Sequence, residues 1–397
     1  MANATKTFVQ FGAGNIGRSF IGRLFAEAGY RVVFIDVDSR LVSLLNERRS
    51  YPVVVKQNDR PDQVRLIGGV SAIDGRDREA VIDVLTQADG MATSVGQRGL
   101  QAVLPLLAAA LELRAANNAP PLDLIIAENL RSGAAWFRQN LGPLLPEGFD
   151  LDSRLGLVET SIGKMVPIMP QDALNEDPLQ LFAEPYDTLI VDRLGFRREV
   201  PALAGLKPVN NIAAWVDRKL FLHNMSHAAL AYLGYQANPE LIYCWQAMEP
   251  PAVVDAVRAA LLQSAAALNR AYPDDLPQEE LAAHADDLLN RYCNRALGDT
   301  LHRVGRDLGR KLAREDRLIG ACLLAAKHGL PFDSLVPPIR AALKFAAPDE
   351  QGRVGEADQR ILQAVAERGP RAVLGEIAGL DAGQSMDQRV LHACFPE

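Results

Sequence analysis

The chain has 397 residues, 48% hydrophobic and 23% charged, which is length enough for two domains and a sizeable core. A formal net charge of −7 argues against general nucleic-acid binding, which needs a basic surface, so an anionic substrate must be met by a local basic patch. No run approaches about 18 uninterrupted apolar residues, and no membrane span is expected.

In chain order, the first half alternates strands with helices. Candidate strands are Thr7 to Phe11, Arg31 to Asp36, Gly90 to Val95 and Leu122 to Ala127, with helices such as Ile16 to Ala28 and Gly99 to Leu113 between them. That alternation predicts an α/β fold whose N-terminal part is a Rossmann-like, doubly wound parallel sheet. Leu155 to Ser161 and the run LFAEPYDTLIVDR look extended and should close the sheet. The Pro- and Gly-bearing stretch Pro201 to Pro208 is the best boundary, giving a dinucleotide-binding domain over 1–205 and a mostly α-helical substrate domain over 206–397. There the pattern turns helical: Ile212 to Leu233, Ala252 to Ala271, Pro277 to Tyr292 and Leu318 to His328.

The segment FGAGNIGRSFIG sets Gly12, Gly14 and Gly17 in G-x-G-x-x-G spacing between a strand and a helix, with Asn15 and Ile16 in the same loop. Glycines there permit a tight turn, close approach of backbone to pyrophosphate and close helix packing, and the helix N-terminus attracts phosphate. Alone the motif is weak. The second strand ends in Asp36, however, 19 residues beyond Gly17, where a carboxylate accepts from ribose hydroxyls and repels a 2′-phosphate. NAD is therefore favoured over NADP, with Arg40 nearby to soften the preference. Ser94, Val95 and Gly96 end a later strand at the same sheet edge, as cofactor contacts or as an ordinary turn.

Within the mostly apolar stretch Trp215 to Leu233, Lys219, Asn224 and His227 fall at about 0°, 140° and 80° around a helix, so they share a face. An unpaired ammonium taken out of water tends to shed its proton, which makes such a Lys a candidate general base. His223 and His227 form an i, i+4 pair, but Asn224 stands where an HExxH zinc motif has Glu, and no third ligand is evident; no metal is expected.

These residues, with FGAGNIGRSFIGRLFAEAG, TSVG, IIAENLRSG, VDRKLFLHNMSHAALAYLG and HRVGRDLGRKLAREDRLIG, resemble the polyol-specific long-chain dehydrogenases in that family's order over most of the chain. The Lys-x4-Asn-x2-His arrangement is the specific part. The resemblance implies a metal-free cleft between two domains. Lys219 corresponds to the catalytic lysine, Asn129 and Asn224 to the pair that hydrogen-bonds the reacting oxygen, and His227 to the substrate-orienting histidine. It also implies a hexitol phosphate and ketose phosphate as the substrate pair, mannitol 1-phosphate and fructose 6-phosphate; an unphosphorylated polyol or a hexuronate is the alternative, and a nucleotide-binding sensor without turnover, which would need no base, is the less expected one. One departure bears on this choice: the family's Asp-Arg is replaced by Gly163 and Lys164, which makes Lys164 a substrate contact with a point charge in place of a fork.

Arg303, Arg306, Arg310, Lys311, Arg314 and Arg317 follow; on one helix all but Lys311 would lie within an arc of about 80°. By resemblance Arg303 and Lys311 contact substrate hydroxyls and Arg310 a phosphate, while Arg314 and Arg317 read as a solvated face paired with neighbouring acids. Scattered cysteines at 244, 293, 322 and 394 and an N-terminal MANATKT unlike a signal peptide suit a reducing cytoplasm. The expected partner is a small sugar alcohol or sugar phosphate, with no nucleic acid and no membrane. The resemblance favours a monomer and leaves a dimer open.

Overall fold

Two apolar runs, TFVQF and RVVFID, are buried almost throughout and pair in parallel, as strands covered on both faces should. The computed structural model describes residues 5–58, 60–381 and 383–396, so part of the N-terminal stretch read against a signal peptide lies outside the described residues. The chain divides into one unit ending at Ile212 and a second beginning at Ala213.

The strands of the first unit are β1 (Thr7–Phe11), β2 (Arg31–Asp36), β3 (Ser50–Val55), β4 (Gln63–Gly68), β5 (Val70–Asp74), β6 (Gly90–Thr93), β7 (Leu122–Ile126), β8 (Leu155–Ile162), β9 (Leu181–Ala183), β10 (Leu189–Asp192) and β11 (Leu206–Val209). Eight of them form one sheet in the order β11, β10, β8, β7, β6, β1, β2, β5, parallel except where β10 meets β8. Because β1 lies between β2 and β6, the strand order reverses at its carboxyl end, which opens the crevice where such sheets hold ligands. Alternation along β1 sends Phe8 into one apolar layer, with Phe20, Phe25 and Phe34, and Val9 and Phe11 into the other, with Leu85, Leu104 and Leu107. Each such side chain stabilises the fold by roughly 1.5–3 kcal/mol.

One expectation changes here. Of LFAEPYDTLIVDR, only Leu189–Asp192 joins the main sheet; Leu181–Ala183 pairs instead with β3, which with β4 makes a separate three-stranded sheet. The stretch Pro201 to Pro208 runs into β11, the edge strand of the main sheet, a few residues before the first unit ends at Ile212.

In the second unit Met225–Ala237 is buried on nearly every side, as a central helix must be, and packs against Pro251–Ala271, Leu301–Gly305 and Val336–Ala342. Its small residues allow close approach: a Cβ on Gly234 would run into the methyl of Ala247. Among the described residues two helices, Gly96–Ala116 and Pro251–Ala271, are long and apolar enough to cross a membrane; each packs on neighbouring elements of its own unit.

Candidate active site

The dinucleotide fingerprint sits at the β1 crevice. Gly12 turns with φ +88°, its N–H donating to Ile35 O at 2.8 Å, and Ser94 N donates to Phe11 O at 2.9 Å, so the loop after β6 lies against the loop after β1. Gly14 is exposed, and a Cβ there would meet nothing within 4 Å. That open space above the loop is where a pyrophosphate needs to approach the backbone, so the residues present fit a dinucleotide. Arg18, 6% exposed, clamps the loop by donating from Nε to Ala13 O at 2.6 Å. The carboxylate of Asp36 accepts from Ala13 N at 2.7 Å and from Asp38 N at 3.0 Å, tying the end of β2 to the same loop. Asp38, Arg40 and Arg18 line a cavity of about 370 Å³ beside it. The helix after the fingerprint opens with a π-helical segment, Gly17–Gly22.

In the second unit Lys219–Asn224 is likewise a π-helical turn, set between Ile212–Arg218 and Met225–Ala237. Such wide turns are rare and concentrate at functional sites. One extra residue in the turn takes roughly 100° out of the step, which moves Asn224 to about 40° and His227 to about −20° from Lys219. The three side chains therefore share a narrower face than a regular helix gives them. Burial, reinforced by the Arg317 guanidinium, pulls the Lys219 ammonium down to about 8. At pH 7 about a tenth of it is neutral, against fewer than about one in a thousand for an ordinary lysine.

His227 stacks on Tyr292 with centroids 4.9 Å apart and planes 15° from parallel. Burial and then Arg303, Arg317, Arg291 and Lys311 push it down to about 3, so it is a neutral imidazole at working pH. His223 is also buried and held well below its ordinary value by the same loss of water, and its Nδ1 finds no hydrogen-bond partner among the described residues. The two rings lie 6.2 Å apart, and among the described residues no group of three or more His, Cys, Asp or Glu side chains gathers as a metal site would need.

The basic cluster does not lie on one helix. Leu301–Gly305 and Leu308–Lys311 are separated by Asp307 at φ +70°, and the chain leaves helix again before Ile319–Lys327. The cause is Asp358, 6% exposed, whose carboxylate accepts from Asp307 N and Leu308 N, each at 2.8 Å, and so stabilises the break. Arg310 pairs with Asp307, and Arg314 is held by both oxygens of buried Asp387 at 2.7 and 2.8 Å. Arg317 is no solvated cation: its side chain is 11% exposed and bonds Asp316 at 2.7 Å. Lys311 is buried, donates to Arg306 O, and is drawn down to about 7 by burial and then by Arg317 and Arg310.

Lys164 is not placed as the substrate contact expected from the sequence. Its side chain is fully buried, and Nζ is taken up by Glu184 O at 3.0 Å, Tyr186 O at 2.5 Å and Asp187 Oδ1 at 3.1 Å. With three protons committed to three oxygens it is a structural tie between β8 and the segment before β10, and leaves nothing with which to grip a substrate.

The first unit matches the Mannitol dehydrogenase Rossmann domain over residues 6–205, and the second the Mannitol dehydrogenase C-terminal domain over residues 211–393. The chain belongs to the mannitol dehydrogenase family. Solved structures with this fold include a D-sorbitol dehydrogenase in substrate-free form, at TM-score 0.79 and 16% identity over 98% of this chain and 92% of that one. Another is the Pseudomonas fluorescens mannitol 2-dehydrogenase ternary complex with NAD and D-mannitol, at TM-score 0.71 and 16% identity over 99% and 91%.

Family membership accounts for the Rossmann domain and the helical partner domain; two acids that brace the candidate sites are not evident from the sequence alone. Glu128 stands beside Asn129 at the end of β7 and accepts from Val95 N at 2.8 Å and Gly96 N at 3.0 Å, so it fixes the loop that carries Ser94 to Gly96. Asp299, beside His227 and Arg303, is the second. Both are acids next to or four residues from residues the reading did single out, which is the signal that could have found them. For Asp36, the expected result of Asp36→Ala is weaker NADH binding together with relaxed discrimination against NADPH. The variant unties the glycine loop from the end of β2 and removes the carboxylate that would repel a 2′-phosphate, with Arg40 nearby in the adjoining cavity to accept one. Parallel fluorescence titrations with both cofactors check this, and an unchanged preference refutes the role.

Proposed function

We propose that the chain is an NAD-dependent, metal-independent polyol dehydrogenase in which neutral Lys219 takes the hydroxyl proton of the alcohol. When bound, NAD supplies the hydride acceptor for the carbinol carbon; the protein's part is binding, orientation and proton transfer. The observation that carries this reading is the depressed Lys219 amine on one narrow helical face with Asn224 and neutral His227. In oxidation the O–H proton passes to Lys219 Nζ, and in reduction the ammonium returns it to the carbonyl oxygen. An amide N–H of Asn224 donates to the oxygen as charge builds, a contribution on the order of 3 kcal/mol if well placed. The same role is proposed for Asn129.

The substrate pair we propose is mannitol 1-phosphate and fructose 6-phosphate, supported by the resemblance in sequence and by the density of cations at Arg303, Arg306, Arg310 and Lys311. A specific observation favours a second reading, an unphosphorylated polyol or a hexuronate: Arg303 and Arg310 already carry carboxylate partners, Asp299 and Asp307, which a phosphate dianion must displace. NADH oxidation with fructose 6-phosphate, fructose, fructuronate and tagaturonate in parallel decides between them. Turnover confined to an unphosphorylated ketose rejects the phosphate reading. We propose further that the protein is cytoplasmic and a monomer; light scattering on the purified chain checks the second.

A further inference from the structure

A buried carboxylate joins two of the residues assigned to substrate. Asp299, with its side chain 4% exposed, has Oδ2 3.4 Å from His227 Nε2 and Oδ1 against the guanidinium of Arg303. Its position is fixed by backbone: Cys244 N donates to its carbonyl at 2.8 Å, and the next residue, Thr300, bridges to Tyr243 and caps Leu301–Gly305 by accepting from Arg303 N. A second contact confines the imidazole. Tyr292 stacks on its face, and the Tyr292 hydroxyl is itself held by Ser226 Oγ at 2.8 Å and His223 O at 3.1 Å.

A ring so confined keeps one variable, the nitrogen that bears the hydrogen. A carboxylate offers only lone pairs, so with Nε2 beside Oδ2 the Nε2–H tautomer is attracted and the Nδ1–H tautomer sets lone pair against lone pair. Burial keeps the ring neutral, and the charge of Asp299 is already met by Arg303, so the contact is not resolved by a second proton on the imidazole. Nδ1 is then left as a bare acceptor.

We propose that Asp299 is a positioning residue that locks His227 in the Nε2–H tautomer and orients Arg303, so that the histidine meets the substrate as an acceptor for a hydroxyl proton. The specificity this gives is for a substrate with a hydroxyl donor at that point, since a carboxylate or keto oxygen there would face a lone pair. The substrate half of the inference rests on the function proposed above; the tautomer half does not.

The test uses the full chain labelled with ¹⁵N-histidine, the His227 signals assigned by their loss in His227→Gln. The expected wild-type spectrum, which needs no variant and no substrate, has Nε2 pyrrole-like and Nδ1 pyridine-like. In Asp299→Asn, whose amide accepts or donates and no longer dictates the tautomer, the two nitrogens should move toward each other in shift. The KM for the polyol should rise at least about tenfold, with NADH affinity within about twofold of wild type. A merely structural role would lower the melting temperature without moving these readouts. A pyridine-like Nε2 in the wild type overturns the proposal, as does an Asp299→Asn variant with the wild-type His227 pattern or an unchanged KM. Absence of polyol turnover by the wild type is a separate result, which would remove the proposed function and leave the tautomer to the spectrum.

Discussion

Lys219→Ala is expected to lower turnover by at least about 10³ while NADH still binds, because it removes the one group proposed to carry the alcohol's proton and leaves the glycine loop untouched. The pH dependence has a definite sign. Oxidation needs the free amine, so its rate rises with pH through about 8, whereas reduction needs the ammonium and falls through the same range. The same depression predicts a stability effect. In the unfolded chain Lys219 stays protonated up to its ordinary value of 10.5, while in the fold it loses its proton near 8, so the folded state binds fewer protons between those values. Stability from this residue is therefore lowest below pH 8 and recovers as pH rises from 8 toward 10.5. Lys219→Met, which fills the same volume without a charge, should raise stability at pH 7 by on the order of 1–3 kcal/mol, discounted for the partial exposure of the side chain, while abolishing turnover. A variant that stays active, or one that is both inactive and less stable, would remove Lys219 as a desolvated base.

How much of this was legible in the sequence depends on the range of the interaction concerned. TFVQF and RVVFID could be read directly, because burial on both faces writes itself as a continuous apolar run. The strand Gln63–Gly68 could not: its alternate residues Val64 and Leu66 are 64% and 72% exposed, so its composition does not follow its environment. The sheet to which Leu181–Ala183 belongs cannot be read locally, because its partner, Val53–Val55, lies far back in the chain and no local pattern names it. The face shared by Lys219, Asn224 and His227 could be read as residue types and spacing, but not the π-helical turn that narrows it, since no periodic pattern marks such a turn. The basic run failed as one helix for the same reason: the carboxylate that stabilises its break at Asp307 belongs to Asp358, about fifty positions on.

Gly17→Ala should damage both the fold and cofactor binding, and the comparison with Gly14→Ala separates those effects. At Gly17 an added Cβ would fall inside the van der Waals shell of Gly12 O and within 3.1 Å of Gly12 C and Ser94 Oγ. The first two are backbone atoms of a turn held at φ +88° and pinned by its bond to Ile35 O, so the loop cannot yield cheaply. Forcing a methyl into such a site costs about 3 kcal/mol, visible as a lowered melting temperature, and displaces the N–H groups that must face pyrophosphate. At Gly14 the methyl meets no protein atom, so the melting temperature should stay within about a degree of wild type. The methyl would instead project into the open space that phosphate needs, and NADH affinity should fall by about 10- to 100-fold in both variants. Gly14→Ala with wild-type NADH affinity would mean that the cofactor does not cross this loop. Gly17→Ala with wild-type stability would mean that the close approach of helix to loop is not what the glycine is there to permit.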